Sequence, residues 1–202
     1  MEALERAGWT GAAPDFPYHG GPEGYAPTIE SFAEFAGDQL AGTPAVIAGH
    51  SLGGMVGQVL ALHRPDLVRG LVLVDSFSSL GVRCLPGGME ATDPAVEAWI
   101  AERSRGHREA MGEAAHARLM ESINAFDSRP RVSELRIPVL GIWGGRGQFG
   151  PGRAAEVAAG MGFGAVPDMQ VVIVPAAGHF VCQETAEEVS AAMVGWLESK
   201  FH

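Results

Sequence analysis

Residues 43–62 read as a strand, a sharp turn and a helix in immediate succession. Thr43-Pro44-Ala45-Val46-Ile47-Ala48 is a short apolar run, and Gly49-His50-Ser51-Leu52-Gly53-Gly54 follows it. Met55-Val56-Gly57-Gln58-Val59-Leu60-Ala61-Leu62 then carries the apolar pattern of a buried helix. The G-x-S-x-G at the centre is the pattern of a strained turn that pushes a serine hydroxyl into the open. Glycines on either side let the two backbones approach without a Cβ clash. The start of the helix offers unpaired N–H groups to a developing negative charge. Ser51 is therefore a candidate nucleophile. With 28 glycines in 202 residues, the motif taken alone also fits a glycine-rich turn with a capping serine. The flanking elements and two downstream residues favour the chemical reading.

Short apolar runs alternate with amphipathic stretches along the chain, which predicts an α/β fold with a mainly parallel sheet and flanking helices. Residues 2–7 read as the tail of a helix ended at Gly8, and Trp9–Ala13 as a strand. Pro14 to Gly20 is a turn-rich loop. Thr28 caps a helix running to about Leu40, with Ile29, Phe32, Ala33 and Ala36 on one face. Val68–Val74 has the continuous apolar character of a strand buried on both faces and ends at Asp75. Further strands are expected at 139–143 and 170–174, and helices at 152–161 and 184–198. Residues 76–135 differ in character. They open on a loop with Gly81, Pro86, Gly87 and Gly88 and continue as helices over 94–103 and 107–126. The expected organisation is a core of residues 1–75 and 136–202 with a helical cap inserted at 76–135.

The net charge of −10 argues against a nucleic-acid surface, which is basic. No stretch reaches the roughly 18 apolar residues of a membrane span, and the charged start of the chain is unlike a secretory signal. Cys84 and Cys182 are too few for a disulfide framework, and Cys and His lack zinc-ligand spacing. A cytoplasmic protein without metal or organic cofactor is expected, with no nucleic-acid or membrane partner.

Serine is a poor nucleophile unless a base lies in hydrogen-bond reach and a carboxylate orients that base. His179, in Pro175-Ala176-Ala177-Gly178-His179-Phe180, follows the last expected strand, and loops at the carboxyl ends of strands face the ligand crevice of α/β proteins. The other histidines fit less well. His50 adjoins the nucleophile and is expected to point away from it. His63 ends a helix, His107 and His116 fall in the cap, and His202 is terminal. His19 lies in the Phe16–Gly20 loop, where it can line a site. Gly145 to Gly150 matches G-x-G-x-x-G after a strand. It comes late, and no acidic residue ends a following strand to hold a ribose, so it reads as an ordinary glycine-rich loop.

Ala13 to Gly20, Gly49 to Gly54, Leu71-Val72-Leu73-Val74-Asp75, Ile137 to Gly144 and Gly178-His179-Phe180 resemble successive landmarks of the α/β-hydrolase superfamily. The resemblance runs from about residue 3 to the end and is specific outside the cap. In many members the acid lies a few residues beyond the tryptophan-glycine pair, at the position of Gly147, and that position carries no carboxylate here. Some relatives place the acid at the end of the strand after the nucleophile helix. That position is Asp75, so the resemblance implies a Ser51-His179-Asp75 triad. Asp168 and Asp127 are weaker candidates.

An oxyanion hole needs a pair of N–H donors. Leu52 supplies one of them. The other comes, in the family, from a loop after an early strand, and the resemblance begins too late to include it. The family's first three strands have no counterpart, which removes a central strand unless Trp9–Ala13 pairs with Thr43–Ala48. Two accounts remain open. The chain is a shortened version or fragment of a longer hydrolase, or it is a compact variant in which another loop, such as Phe16–Gly20, donates. The expected function is hydrolysis of an ester or related acyl bond in a small-molecule substrate. His50, His19, Trp99 and Met120 are candidate substrate contacts, and Met111 is a further apolar residue of the cap. Acyl transfer, carbon–carbon bond cleavage, perhydrolysis and a catalytically silent, ligand-binding fold are the alternatives.

Overall fold

The computed structural model describes residues 2–82, 90–146 and 150–201. Cys84, Pro86, Gly87, Gly88, Gly147, Gln148 and His202, which figure in the sequence reading, lie outside the described residues.

Among the described residues four parallel strands form the sheet in chain order: β1 Ala45–His50, β2 Val68–Val74, β3 Val139–Gly144 and β4 Met169–Val174. Alternation along the strands sends side chains to opposite faces. Leu71, Leu73, Val139, Trp143 and Ile173 share one apolar cluster with Phe32 and Ala33 of α2 (Ile29–Gln39), Met55, Val56, Val59 and Leu60 of α3 (Leu52–His63), and Val157 of α6 (Ala154–Gly160). Val72, Val74, Leu140, Ile142 and Val174 share the other with Val189, Trp196 and Leu197 of α8 (Ala186–Phe201) and with Leu4 of α1 (Glu2–Arg6). The expected α/β architecture is present, and Thr28 caps α2 by accepting from the Ser31 N–H at 3.2 Å.

Two local expectations need correction. Trp9–Ala13 is not a strand. The Trp9 N–H turns back onto Leu4 O at 2.9 Å, and its ring meets Phe201 edge-on at 6.5 Å. Apolar burial against α8 thus holds this segment in the cluster opposite the face of α2 and α3, and β1 stands at the sheet edge among the described residues. The helix expected over 94–103 does not stop there. α4 runs Pro94–Met111 and breaks at Gly112, whose φ of 79° and ψ of 156° suit glycine, and α5 covers Glu113–Ala125. The last expected helix is present as α8, and a separate short helix, α7 Val181–Glu184, precedes it. The excursion carrying α4 and α5 leaves and rejoins the sheet at a neck where Ser79 bridges Asp127 and the Ser128 N–H donates to Ser78 O at 2.8 Å.

Candidate functional site

The site stands at the carboxyl ends of β1, β2 and β4. Ser51 joins β1 to α3 with φ 50° and ψ −115°, a conformation that costs a non-glycine residue strain. Tertiary hydrogen bonds hold it there: the Ser51 N–H donates to Val74 O at 2.9 Å, and Ser76 Oγ donates to Ser51 O at 2.9 Å. A Cβ on Gly49 would stand 2.2 Å from the Gly53 carbonyl carbon, and one on Gly54 would stand 2.4 Å from Ser76 Cβ. Gly53 itself has open space at that position. The close approaches therefore fall at Gly49 and Gly54 rather than symmetrically about the serine.

Asp75 follows β2 with φ 42° and is 1% exposed. Its Oδ1 accepts from the Gly144 N–H at 3.2 Å, and its Oδ2 accepts from His179 Nδ1 at 2.7 Å. A carboxylate can only accept, so Nδ1 carries the proton and Nε2 keeps its lone pair. Nε2 lies 3.1 Å from Ser51 Oγ and accepts from that hydroxyl. Burial pushes the Asp75 carboxyl up, while His179 and the Gly144 N–H pull it back toward the ionised form. Asp168 instead accepts from Lys200 Nζ at 2.8 Å, and Asp127 pairs with Arg129 on the surface.

The loop carrying His179 is braced from several sides. Glu184 Oε2 accepts from the Gly178 N–H at 3.1 Å and the Thr92 N–H at 3.0 Å, and the His179 N–H donates to Glu90 O at 3.3 Å. Cys182, close enough to feel the Asp75 charge, has its thiol pushed up to about 11 by burial and that charge, and it remains protonated.

His50 does not turn away from the site. Its Nε2–H donates to His179 O at 2.7 Å, and the two rings lie 4.9 Å apart. Burial and the neighbouring His179 lower its pKa from 6.5 to about 4. The unfolded chain then holds a proton on this ring between those values while the folded protein does not. Stability falls as pH drops from 6.5 toward 4, by about 3 kcal/mol at about 1.36 kcal/mol per unit. A His50→Gln variant keeps an amide donor without titrating. Urea unfolding midpoints of the native protein should decline more steeply over that window than those of the variant, and parallel declines would refute this role.

Beside the elbow lies a cavity of about 290 Å³. Leu52, Gly53 and Val56 line it at the start of α3, Pro14, Asp15, Phe16 and His19 from the early loop, Phe32 from α2, and Arg103 and His107 from α4. Of the expected substrate contacts only His19 is on this wall. His50 serves the His179 carbonyl. Trp99 and Met120 stand 47% and 39% exposed and do not line the cavity. Met111 is buried in the core. Arg103, His107 and the brace of Ser76 were not anticipated. The i, i+4, i+8 spacing of Trp99, Arg103 and His107 was available as a signal, and a helix end placed at Arg103 hid it.

Among the described residues no helix is long and apolar enough to cross a membrane, and no group of three or more His, Cys, Asp or Glu side chains is placed to hold a metal ion.

Comparison with known proteins yields a match to the model of the alpha/beta hydrolase family over residues 1–192. A pimeloyl-(acyl-carrier protein) methyl ester esterase from Neisseria meningitidis serogroup C is 28% identical over 184 residues, covering 74% of this chain and 70% of that protein. An enzyme of the same name from serogroup A is 45% identical over 78 residues, covering 37% of this chain and only 24% of that protein. Among solved structures, the enol-lactonase from Burkholderia xenovorans LB400 superposes with a TM-score of 0.65 at 21% identity, covering 91% of this chain and 78% of that one.

Proposed function

The chain belongs to the alpha/beta hydrolase family, and we propose that it is a serine hydrolase cleaving an ester or related acyl bond in a small molecule. One observation carries the reading. Ser51 Oγ, His179 and Asp75 form a continuous hydrogen-bonded series with links of 3.1 Å and 2.7 Å. The esterase names of its relatives agree with it.

In the proposed reaction Ser51 Oγ attacks the acyl carbon as its proton passes to His179 Nε2. Asp75 stabilises the imidazolium through Nδ1–H. The tetrahedral oxyanion accepts from the Leu52 N–H, which is the first amide of α3 and has no partner within that helix. Collapse expels the alkoxide, which takes the proton from Nε2. Water then attacks the acyl-serine carbonyl, giving its proton to the same nitrogen, and the acid product leaves with Ser51 restored. The 76–135 excursion acts as a cap in this reading, since α4 supplies one wall of the cavity.

A fluorophosphonate probe tests the nucleophile. The native protein should be labelled on Ser51, and labelling should vanish in His179→Ala, which removes the base while leaving the hydroxyl. A native protein that takes no label is the result of a silent fold, and it refutes the proposal.

A further inference from the structure

The cavity carries a group of basic side chains that the acyl chemistry does not use. Trp99, Arg103 and His107 recur at every fourth residue of α4 and so form one stripe. The Arg103 guanidinium lies over the Trp99 ring, 5.2 Å from its centroid. This contact restrains a long side chain that would otherwise sample many rotamers. One turn further, the His107 ring meets the His19 ring edge-on at 4.7 Å. His19 comes from the facing loop, so the contact joins the two walls of the cavity. His19 Nδ1–H donates to Pro17 O at 3.2 Å, which leaves Nε2 as a lone pair in the neutral ring and as a second N–H donor in the protonated one. Beneath these groups the lining is apolar: Leu52, Val56, Phe16 and Phe32.

We infer that the cavity selects acyl groups bearing a carboxylate at the far end of a short methylene chain, an inference that rests on Ser51 being the nucleophile. The methylenes would lie along the apolar lining, and the carboxylate would meet Arg103, whose planar fork matches it. His107 adds charge when protonated. The charged and titratable groups facing the cavity are Asp15 and His19 from the loop and Arg103 and His107 from α4. Asp15 opposes the anion from an exposed position at the rim. Burial, His19 and Arg103 together lower the His107 pKa. An anion beside Arg103 and His107 offsets their repulsion and draws a proton onto the His107 imidazole, so its binding strengthens as pH falls.

The test compares mono(4-nitrophenyl) adipate, which carries the free carboxylate, with its methyl ester, which does not. Release of 4-nitrophenolate gives kcat/KM for each, and their ratio cancels whatever the triad contributes to both. Arg103→Gln should lower the charged-to-neutral ratio by about 10-fold, as expected for losing a charged hydrogen bond. Arg103→Lys should recover part of it, and Asp15→Asn should raise it. Lowering the pH from 8 to 6 should increase the ratio in the native protein and less so in His107→Gln. A ratio unmoved by Arg103→Gln overturns the inference.

Calorimetry on Ser51→Ala separates this failure from failure of the nucleophile. Monomethyl adipate should bind this variant more tightly than dimethyl adipate, and adding Arg103→Gln should erase the difference. Equal binding of the two compounds overturns the inference whether or not either ester is hydrolysed.

Discussion

Ester hydrolysis by Ser51→Ala is expected to fall by about 10⁶-fold in kcat, the order of loss found when the nucleophile of such a triad is removed. The substitution takes away one atom, and that atom's only described protein partner is His179 Nε2. The elbow does not depend on it. The backbone of residue 51 is held by Val74 O and by Ser76 Oγ, and both bonds survive in alanine. Folding stability should therefore change little while turnover collapses, which urea unfolding and 4-nitrophenyl ester kinetics would measure side by side. Full hydrolysis by a folded Ser51→Ala protein would remove the nucleophile from the proposal.

Asp75→Asn should cost about 10⁴-fold in kcat, the order seen when a triad carboxylate becomes an amide. Asparagine has nearly the same shape but offers one acceptor where Asp75 meets two donors, the Gly144 N–H and His179 Nδ1–H. If the amide oxygen stays on Gly144, the amide nitrogen faces Nδ1. His179 must then move its proton to Nε2, where it blocks acceptance from Ser51. If the amide turns over, a donor meets the Gly144 N–H instead. Either arrangement damages catalysis without emptying the core. Removing a carboxylate that is 1% exposed also removes its desolvation cost, so the loss of stability should be small beside the loss of rate. The decisive comparison is kcat against the unfolding midpoint. Activity within about tenfold of the native protein would place the orienting acid elsewhere.

Much of the candidate site was legible in the sequence because its parts sit at element ends. Ser51, Asp75 and His179 each follow a strand at its carboxyl end, and such ends can be located from apolar runs and turn residues. The selection of Asp75 came from a resemblance, since local pattern does not reveal which carboxylate reaches a histidine 104 residues away. His50 was misjudged for a related reason. Its neighbour in sequence is the nucleophile, but its partner is the carbonyl of His179, 129 positions distant. Trp9–Ala13 failed as a strand because its apolar residue found burial against Phe201 near the opposite end of the chain.

The order of residues was enough to specify the alternating α/β pattern, the strand–turn–helix about Ser51 and the candidate residues for the proposed acyl chemistry. These follow from side-chain periodicity and turn geometry, which act over a few residues. Folding in three dimensions settled which glycines permit close approach, where α4 ends, and which side chains share a cavity. Each of these depends on atoms far apart in the chain being packed within a few ångströms. That is why Arg103 and His107 of α4 and His19 of the early loop become one surface beside Leu52 and Gly53, although nothing in sequence spacing joins His19 to the pair on α4.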